Sequence, residues 1–124
     1  MVTRYAAPDT TQAGIAEVWR ACGWTVHDLH DAARVFKFTY HGVTHAGGLP
    51  DLLATLGPCH VWVECKTPDG GLEPVQRAFR DMVIEGGEWW TVERDADEAL
   101  AEAQWYRNLA LVAMRESRRE THGG

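Results

Sequence analysis

Apolar positions along the chain recur with two periods. Ile15, Val18, Trp19 and Cys22 fall on one face of a helix, with Asp9 expected as its cap, Gln12 three residues on, and Gly23 as its stop. Residues 24–29 read as a strand, and so do 34–40, where Phe36, Phe38 and Tyr40 alternate with Val35, Lys37 and Thr39. Residues 41–49 read as a glycine-containing connection, 50–55 as a short strand, Leu56-Gly57-Pro58 as a turn, and 60–66 as a further strand. A turn rich in Pro, Asp and Gly over 67–71 opens a helix with Pro74 at its first position, which runs to about residue 85 and stops at Gly86-Gly87. Residues 89–92 form a last strand, reached by a strand–helix–strand crossover and so parallel to 60–66. Over 95–116, Ala99, Leu100, Ala103, Tyr106, Leu109 and Leu111 recur at helical spacing, and 117–124 read as a loose tail. The pattern predicts one α/β domain over 1–124, a mixed β-sheet flanked by helices in the order αβββαβ plus a C-terminal helix.

Composition narrows the function classes. Hydrophobic residues make up 45% of 124, enough for a real core, and six Trp leave some for contact as well as packing. The net charge of −6 is the wrong sign for a protein that grips DNA by a broad basic surface. A cluster of carboxylates awaiting a metal would itself add negative charge. Cys22, Cys59 and Cys65 are odd in number and lack zinc-knuckle spacing, so free thiols in a reducing cytoplasm are expected. No stretch has the length of a membrane span, and the N-terminus lacks the apolar core of a signal peptide.

The chemistry concentrates between Gly48 and Gln76. On a strand over 60–66, Val61, Val63 and Cys65 share one face, while Trp62, Glu64 and Lys66 share the other. Glu64 and Lys66 are thus neighbours pointing the same way. Asp51 sits on the adjacent predicted strand, behind Pro50. Two carboxylates converging from neighbouring strands make a hard-cation site of the Mg²⁺ type, with the backbone carbonyl of Cys65 as a third ligand. An ammonium group beside the metal orients a water or offsets charge on a phosphate, as metal-assisted phosphodiester hydrolysis requires. Taken singly, each piece has a plainer reading: a strand-start Asp, a solvated Glu-x-Lys face, and a Gln76 that completes a helix cap with Glu73.

Pro50-Asp51 followed by Glu64-Cys65-Lys66 resembles the PD-(D/E)XK nuclease signature. The wider frame resembles its VRR-NUC branch, the small stand-alone type of phages and bacteria. That pattern has Gly-x-Pro-Asp-Leu, an apolar strand with Glu-x-Lys, and Gly-x-Leu-x-x-x-Gln opening a helix. This chain has Gly48-Leu49-Pro50-Asp51-Leu52, Val63-Glu64-Cys65-Lys66, and Gly70-Gly71-Leu72-Glu73-Pro74-Val75-Gln76. Gly23-Trp24-Thr25-Val26 and His30-Asp31 look like the strand entering such a core, and the likeness covers roughly 9–100. The order of the pieces and the Gln on the following helix carry the signal; the dipeptides alone do not.

The resemblance implies a restriction-endonuclease-like fold, Mg²⁺ or Mn²⁺ as cofactor, and hydrolysis of DNA phosphodiesters. Asp51 and Glu64 would bind metal, Lys66 would position or activate the attacking water, and Gln76 would support the site. Glu73 departs from the family, which usually has Ser or Thr there. The family's acid on the first helix has two candidates here, Asp9 and Glu17, and Glu17 lies opposite the apolar stripe. His27, His30, His41, His45, His60 and His122 read as structural or exposed, with His30 matching a family His near the site entrance. Trp89 and Trp90 must point to opposite faces, and Arg115, Arg118 and Arg119 form the basic cluster of a helix end.

The expectation is a metal-dependent DNA endonuclease in a bacterial or phage-infected cytoplasm; branched, junction or flap DNA is one substrate class, and nicked and plain duplex DNA stay open beside it. A symmetric homodimer follows from the two sites that branched DNA requires, with Trp105, Tyr106, Leu109 and Leu111 as its apolar surface. The rival is a catalytically silent nucleic-acid- or protein-binding module on the same fold. A third reading leaves the hairpin as scaffold in an unrelated enzyme.

Overall fold

The computed structural model describes residues 8–123, with side chains over 11–120. The elements are α1 (Pro8–Ala21), β1 (Thr25–Asp28), the one-turn α2 (His30–Ala33), β2 (Lys37–Tyr40), β3 (Val43–Ala46), β4 (Leu52–Leu56), β5 (Cys59–Cys65), α3 (Pro74–Glu85), β6 (Trp89–Glu93) and α4 (Ala96–Gly123). The main sheet has the order β1-β4-β5-β6. β1/β4 and β4/β5 are antiparallel, while α3 carries the chain to a β6 parallel to β5. With α2 and the β2–β3 pair set aside, this is the predicted αβββαβ core with its C-terminal helix.

The differences from the sequence reading have local causes. Five strands were expected, one more than the αβββαβ frame holds. The surplus, 34–40, shortens to β2 and leaves the sheet to pair with β3, inside the stretch read as a connection. His41 and Gly42 both have positive φ (50° and 77°), the turn geometry that joins a tight hairpin. Val43, Thr44 and Ala46 of β3 are exposed, so no alternation of apolar and polar residues marks that strand. α1 begins at Pro8, which places Asp9 within the first turn rather than at the cap; its side chain lies outside the described residues. α4 continues through the expected loose tail, where no Gly or Pro interrupts 117–122.

Two apolar layers hold the sheet. On one face, Ile15, Ala16 and Trp19 of α1 and Ala99, Ala103 and Ala110 of α4 pack on Leu52, Ala54, Val61 and Val63. The small α4 residues let its backbone approach closely. Trp24 Nε1 donates to the Ala103 carbonyl at 3.1 Å, tying the start of β1 to α4. On the other face, Phe79 and Val83 of α3 pack with Phe38 of the hairpin, flanked by Phe36, Trp62 and Trp90. Trp89 and Trp90 do split between the faces, Trp89 toward Tyr106 and Trp90 toward α3.

Phe79 is the hub of the second layer. It is 2% exposed and meets Phe36, Phe38 and Trp62 edge-on at 5.2–5.7 Å between ring centres. Phe79→Ala is expected to cost about 3–5 kcal/mol and to loosen the hairpin from α3. Urea unfolding gives the first quantity, and hydrogen exchange in β2 and β3 the second; unchanged exchange there would show that the hairpin is held by other contacts.

Candidate functional site

The site grows from the connection between β3 and β4. Gly48 has φ +82°, and a Cβ there would lie 2.7 Å from the Val75 carbonyl oxygen. Only glycine lets this connection lie against the first turn of α3. Pro50 is fully buried, and the Asp51 carbonyl accepts from Leu29 N–H at 2.9 Å. β4 pairs with β5 through Leu52↔Val63. The same register, carried one residue further, sets Asp51 opposite Glu64. Asp51 Oδ2 accepts from the Cys65 N–H at 2.8 Å, which fixes the carboxylate beside β5.

Glu64 points to the α3 side of the sheet, the face it shares with Trp62. It is 3% exposed, and its Oε2 receives the Gln76 amide at a long 3.5 Å. Its Oε1 is buried with no hydrogen-bond partner among the described residues. Burial is the chief cause that pushes the Glu64 carboxyl up to about 9. The adjacent Asp51 raises it further by hydrogen bond and by charge, Lys66 opposes, and Glu73 adds a smaller push. Without a cation the pair therefore holds a proton at neutral pH. Two carboxylates this close, one with an orphaned oxygen, are a donor set that fits a hard divalent cation.

Among the described residues, no three His, Cys, Asp or Glu side chains gather as a metal-ligand cluster. A cation here would need a backbone ligand. The Cys65 N–H faces Asp51, whereas the next amide, Lys66 N–H, turns to the Glu93 carbonyl on the β6 side. Strand geometry then sends the Cys65 carbonyl toward the β4 edge, beside Asp51. Its side chain lies on the face of Val61 and Val63, opposite that of Glu64, and in the metal-free protein burial, then the charges of Asp51 and Glu93, push the thiol upward.

Lys66 is half-buried in a cleft of about 340 Å³ lined by Thr11, Gln12, Asp51, Cys65, Thr67 and Gly70. The turn after it is pinned, since Gly70 N–H donates to the Thr67 carbonyl and Arg94 Nη2 donates to the Gly70 carbonyl at 2.9 Å. Gln76 does two things at once. Its Oε1 accepts from the Glu73 N–H at 2.9 Å, as a helix cap would, while its Nε2 reaches Glu64. The cap reading and the site reading of Gln76 are both present in one side chain.

The structure thus brings together Asp51, Glu64, Lys66 and Gln76, with the Cys65 backbone. Glu17 is not among them; it is exposed and pairs with Arg20 at 3.3 Å. From α1, Thr11 and Gln12 line the cleft; the sequence reading gave Gln12 only a helix-capping role and did not single out Thr11. Gln12 also donates to Asp28 at 3.3 Å. His30 lines a neighbouring cleft with Gln12, Arg20 and Asp28. His41 and His60 pair with Glu85 and Glu88, and His45 stacks on Phe38.

A second buried carboxyl was missed. Glu93 is fully buried on the opposite face of the sheet, where Trp19 Nε1 donates to its Oε1 at 2.7 Å and its Oε2 has no partner. Burial pushes it up to about 8; the Trp19 hydrogen bond opposes this, and Glu102 and Glu98 add to it. Period-2 spacing from Trp89 and Thr91 was the available signal, because it places Glu93 on their inward face.

A solved structure of a VRR_NUC domain matches this chain with a TM-score of 0.55 and 23% sequence identity, over 76% of this chain and 91% of that one. No protein-family model and no curated protein matches. The architecture defines a restriction-endonuclease-like α/β domain. More narrowly, the chain has the fold of a VRR_NUC domain, the fold that the motifs in its sequence resemble.

Two expectations follow from this geometry. Gly48→Ala must shift the connection off Val75 and adopt a strained φ, at a cost of roughly 1–3 kcal/mol. Chemical denaturation checks it, and an unperturbed midpoint would mean that the connection moves freely. Glu64 and Glu93 both take up protons more readily folded than unfolded. The stability they lend is full below about 4.5, their ordinary value, and is lost as pH rises toward 8–9. Metal-free protein should melt lower at pH 8.5 than at pH 5.5, and Glu93→Gln should recover on the order of 2 kcal/mol at the higher pH. A Glu93→Gln variant with the wild-type pH profile would contradict the assignment.

Proposed function

We propose that this chain is a metal-dependent deoxyribonuclease, an endonuclease that hydrolyses phosphodiester bonds of branched, junction or flap DNA. The observation that carries the reading is the Asp51–Glu64 pair, set side by side by the β4–β5 register, with a buried unpartnered oxygen on Glu64 and Lys66 beside it. Asp51, Glu64 and the Cys65 carbonyl would hold Mg²⁺ or Mn²⁺. The ion supplies Lewis acidity at a phosphate oxygen and eases ionisation of water. Lys66 would orient the attacking water and offset charge on the phosphate as the water oxygen bonds to phosphorus, one P–O ester bond breaks, and the departing strand end takes up a proton to leave as a hydroxyl. Gln76 acts through Glu64 by holding its carboxylate from α3. No helix among the described residues is long and apolar enough to cross a membrane, and the interior of a bacterial or phage-infected cell is the proposed setting. Branched DNA presents two strands for cutting, and two copies of the chain would supply two sites.

The acidic balance, −6 overall, supports a second reading, a silent nucleic-acid- or protein-binding module. Titration with Mn²⁺ separates the two, since a silent module lacks binding that depends on Asp51 and Glu64.

Cleavage of single-stranded, duplex, flap and four-way-junction DNA, with Mg²⁺, Mn²⁺ or chelator, tests the proposal. Asp51→Asn and Lys66→Ala should each lower the rate roughly 10²–10⁴-fold, and Gln76→Ala roughly 10–100-fold. A folded wild type that cuts none of these substrates and binds no Mn²⁺ would sink the nuclease reading in favour of the silent module.

A further inference from the structure

A second cleft, of about 470 Å³, opens between α1 and the β1–β4 side of the sheet, and the hydrolysis itself makes no use of it. Its volume suits one small molecule and is too small to take in a duplex. α1 builds one wall. Gln12, Ala16 and Arg20 stand at i, i+4 and i+8, in a single row along the helix. The cleft is open because Ala13 and Ala16 are small. Asp28 and His30 build the other wall, and Ala16 and Leu52, 5% and 2% exposed, give it an apolar floor.

The two clefts meet. Gln12 lines both, Asp51 lines the first, and the next residue, Leu52, lines the second. Adjacent Cα atoms are about 3.8 Å apart, and a nucleic-acid strand advances about 3.4 Å per nucleotide. A strand with its scissile phosphate at Asp51 therefore brings the neighbouring nucleotide to the second cleft, passing Gln12 before it reaches Arg20.

The polar groups there sort the parts of a nucleotide. Arg20 gives one contact to Glu17 at 3.3 Å, in a solvent-exposed pair, and keeps its other N–H donors for a phosphate. Asp28 is not a bare anion. Its Oδ1 accepts from the His30 N–H at 2.8 Å and its Oδ2 from Gln12 at 3.3 Å, and each oxygen has a further acceptor position. A phosphate has no donor to offer that carboxylate, whereas base edges carry amino N–H groups.

We propose that this cleft receives the unpaired nucleotide next to the scissile phosphate. Its base lies on the apolar floor with its edge toward Asp28, and the phosphate beyond it meets Arg20. A paired base enters only by leaving its stack, so the cleft selects strands that are unpaired beside the cut. The inference rests on the nuclease reading for the position of the scissile phosphate, and it names the substrate feature that the same site would take.

Fluorescence anisotropy of a labelled single strand is the test, run in chelator so that no metal-dependent cutting intervenes, with thermal melts to show that each variant is folded. The matched duplex and an abasic strand of equal length, which keeps every phosphate and lacks every base, run beside it. Wild type should bind the intact single strand about tenfold tighter than either. Ala13→Phe, which fills the cleft from an exposed position, should lose that preference and bind intact and abasic strands alike. Arg20→Ala should weaken both strands and reduce the slope of log affinity against log salt by about 0.7. A wild type indifferent to the bases, a preference that survives Ala13→Phe, or an Arg20→Ala slope equal to that of wild type would overturn the proposal. Wild-type turnover of bis(p-nitrophenyl) phosphate with Mn²⁺ reads the Asp51–Glu64 site alone, because that diester has no nucleotide for the cleft. Turnover without strand selectivity keeps the nuclease and ends this inference. Selectivity without turnover keeps the cleft, as the binding site of a silent module, and ends the nuclease reading.

Discussion

The pairing of Leu52 with Val63 is the constraint on which both halves of this molecule depend. Side chains on a strand alternate, so one register decides two things at once. It puts Leu52, Ala54, Val61 and Val63 under α1 and α4. By the same step it sets Asp51 beside Glu64 at the end of the strands, on the opposite side from that packing. A slip of one residue would expose the core face and separate the carboxylates together. The apolar packing therefore supplies the free energy that keeps the two acids in contact, helped within the site by the Cys65 N–H on Asp51 and the Gln76 amide on Glu64.

That arrangement carries a cost the rest of the fold absorbs. Glu64 and Glu93 are both buried, each with one orphaned oxygen, on opposite faces of the sheet. Glu93 has a partner of its own in Trp19, and its bond ties α1 to β6 just below the site. Glu64 has only the distant amide of Gln76 and a second carboxylate. A carboxylate so poorly satisfied is hard to account for as scaffold, because an apolar residue of similar size would pack there at less cost. A cation that binds both acids removes this penalty, which is the physical link between the instability of the pair and the proposed chemistry.

The excursion between β1 and β4 shows how the same principle shapes the scaffold. The β2–β3 hairpin leaves the main sheet and packs by Phe36 and Phe38 on Phe79 of α3. Its return path through Gly48 lies against Val75, one residue before Gln76. The glycine two positions before Pro50 thus spaces the hairpin, α3 and Asp51 relative to one another. Its place in the motif follows from close backbone approach and a positive φ.

Much was legible in the chain before any coordinates. Period-2 alternation over 60–66 correctly sorted Val61 and Val63 from Trp62 and Glu64, and Pro74 and Gly86 bounded α3 at the expected residues. Those features are local, set by steric and capping rules that act within a few residues. The hairpin was not legible, since β3 exposes most of its side chains and leaves no pattern to read. Nor was the presence of Thr11 and Gln12, and not Glu17, at the cleft, because the rotation of α1 is decided by how Trp19 and Ile15 seat in the core. The outward side of α4 was legible in part: Trp105 and Leu109 are exposed as expected, while Tyr106 turns inward onto Trp19 and Trp89. Sequence by itself determined which residues could alternate, cap and turn, and hence the order of the core. Only tertiary packing decided which face each helix buries, since that depends on contacts between segments far apart in the chain, and with it which carboxylates meet, which oxygens are left without partners, and which apolar side chains remain in water.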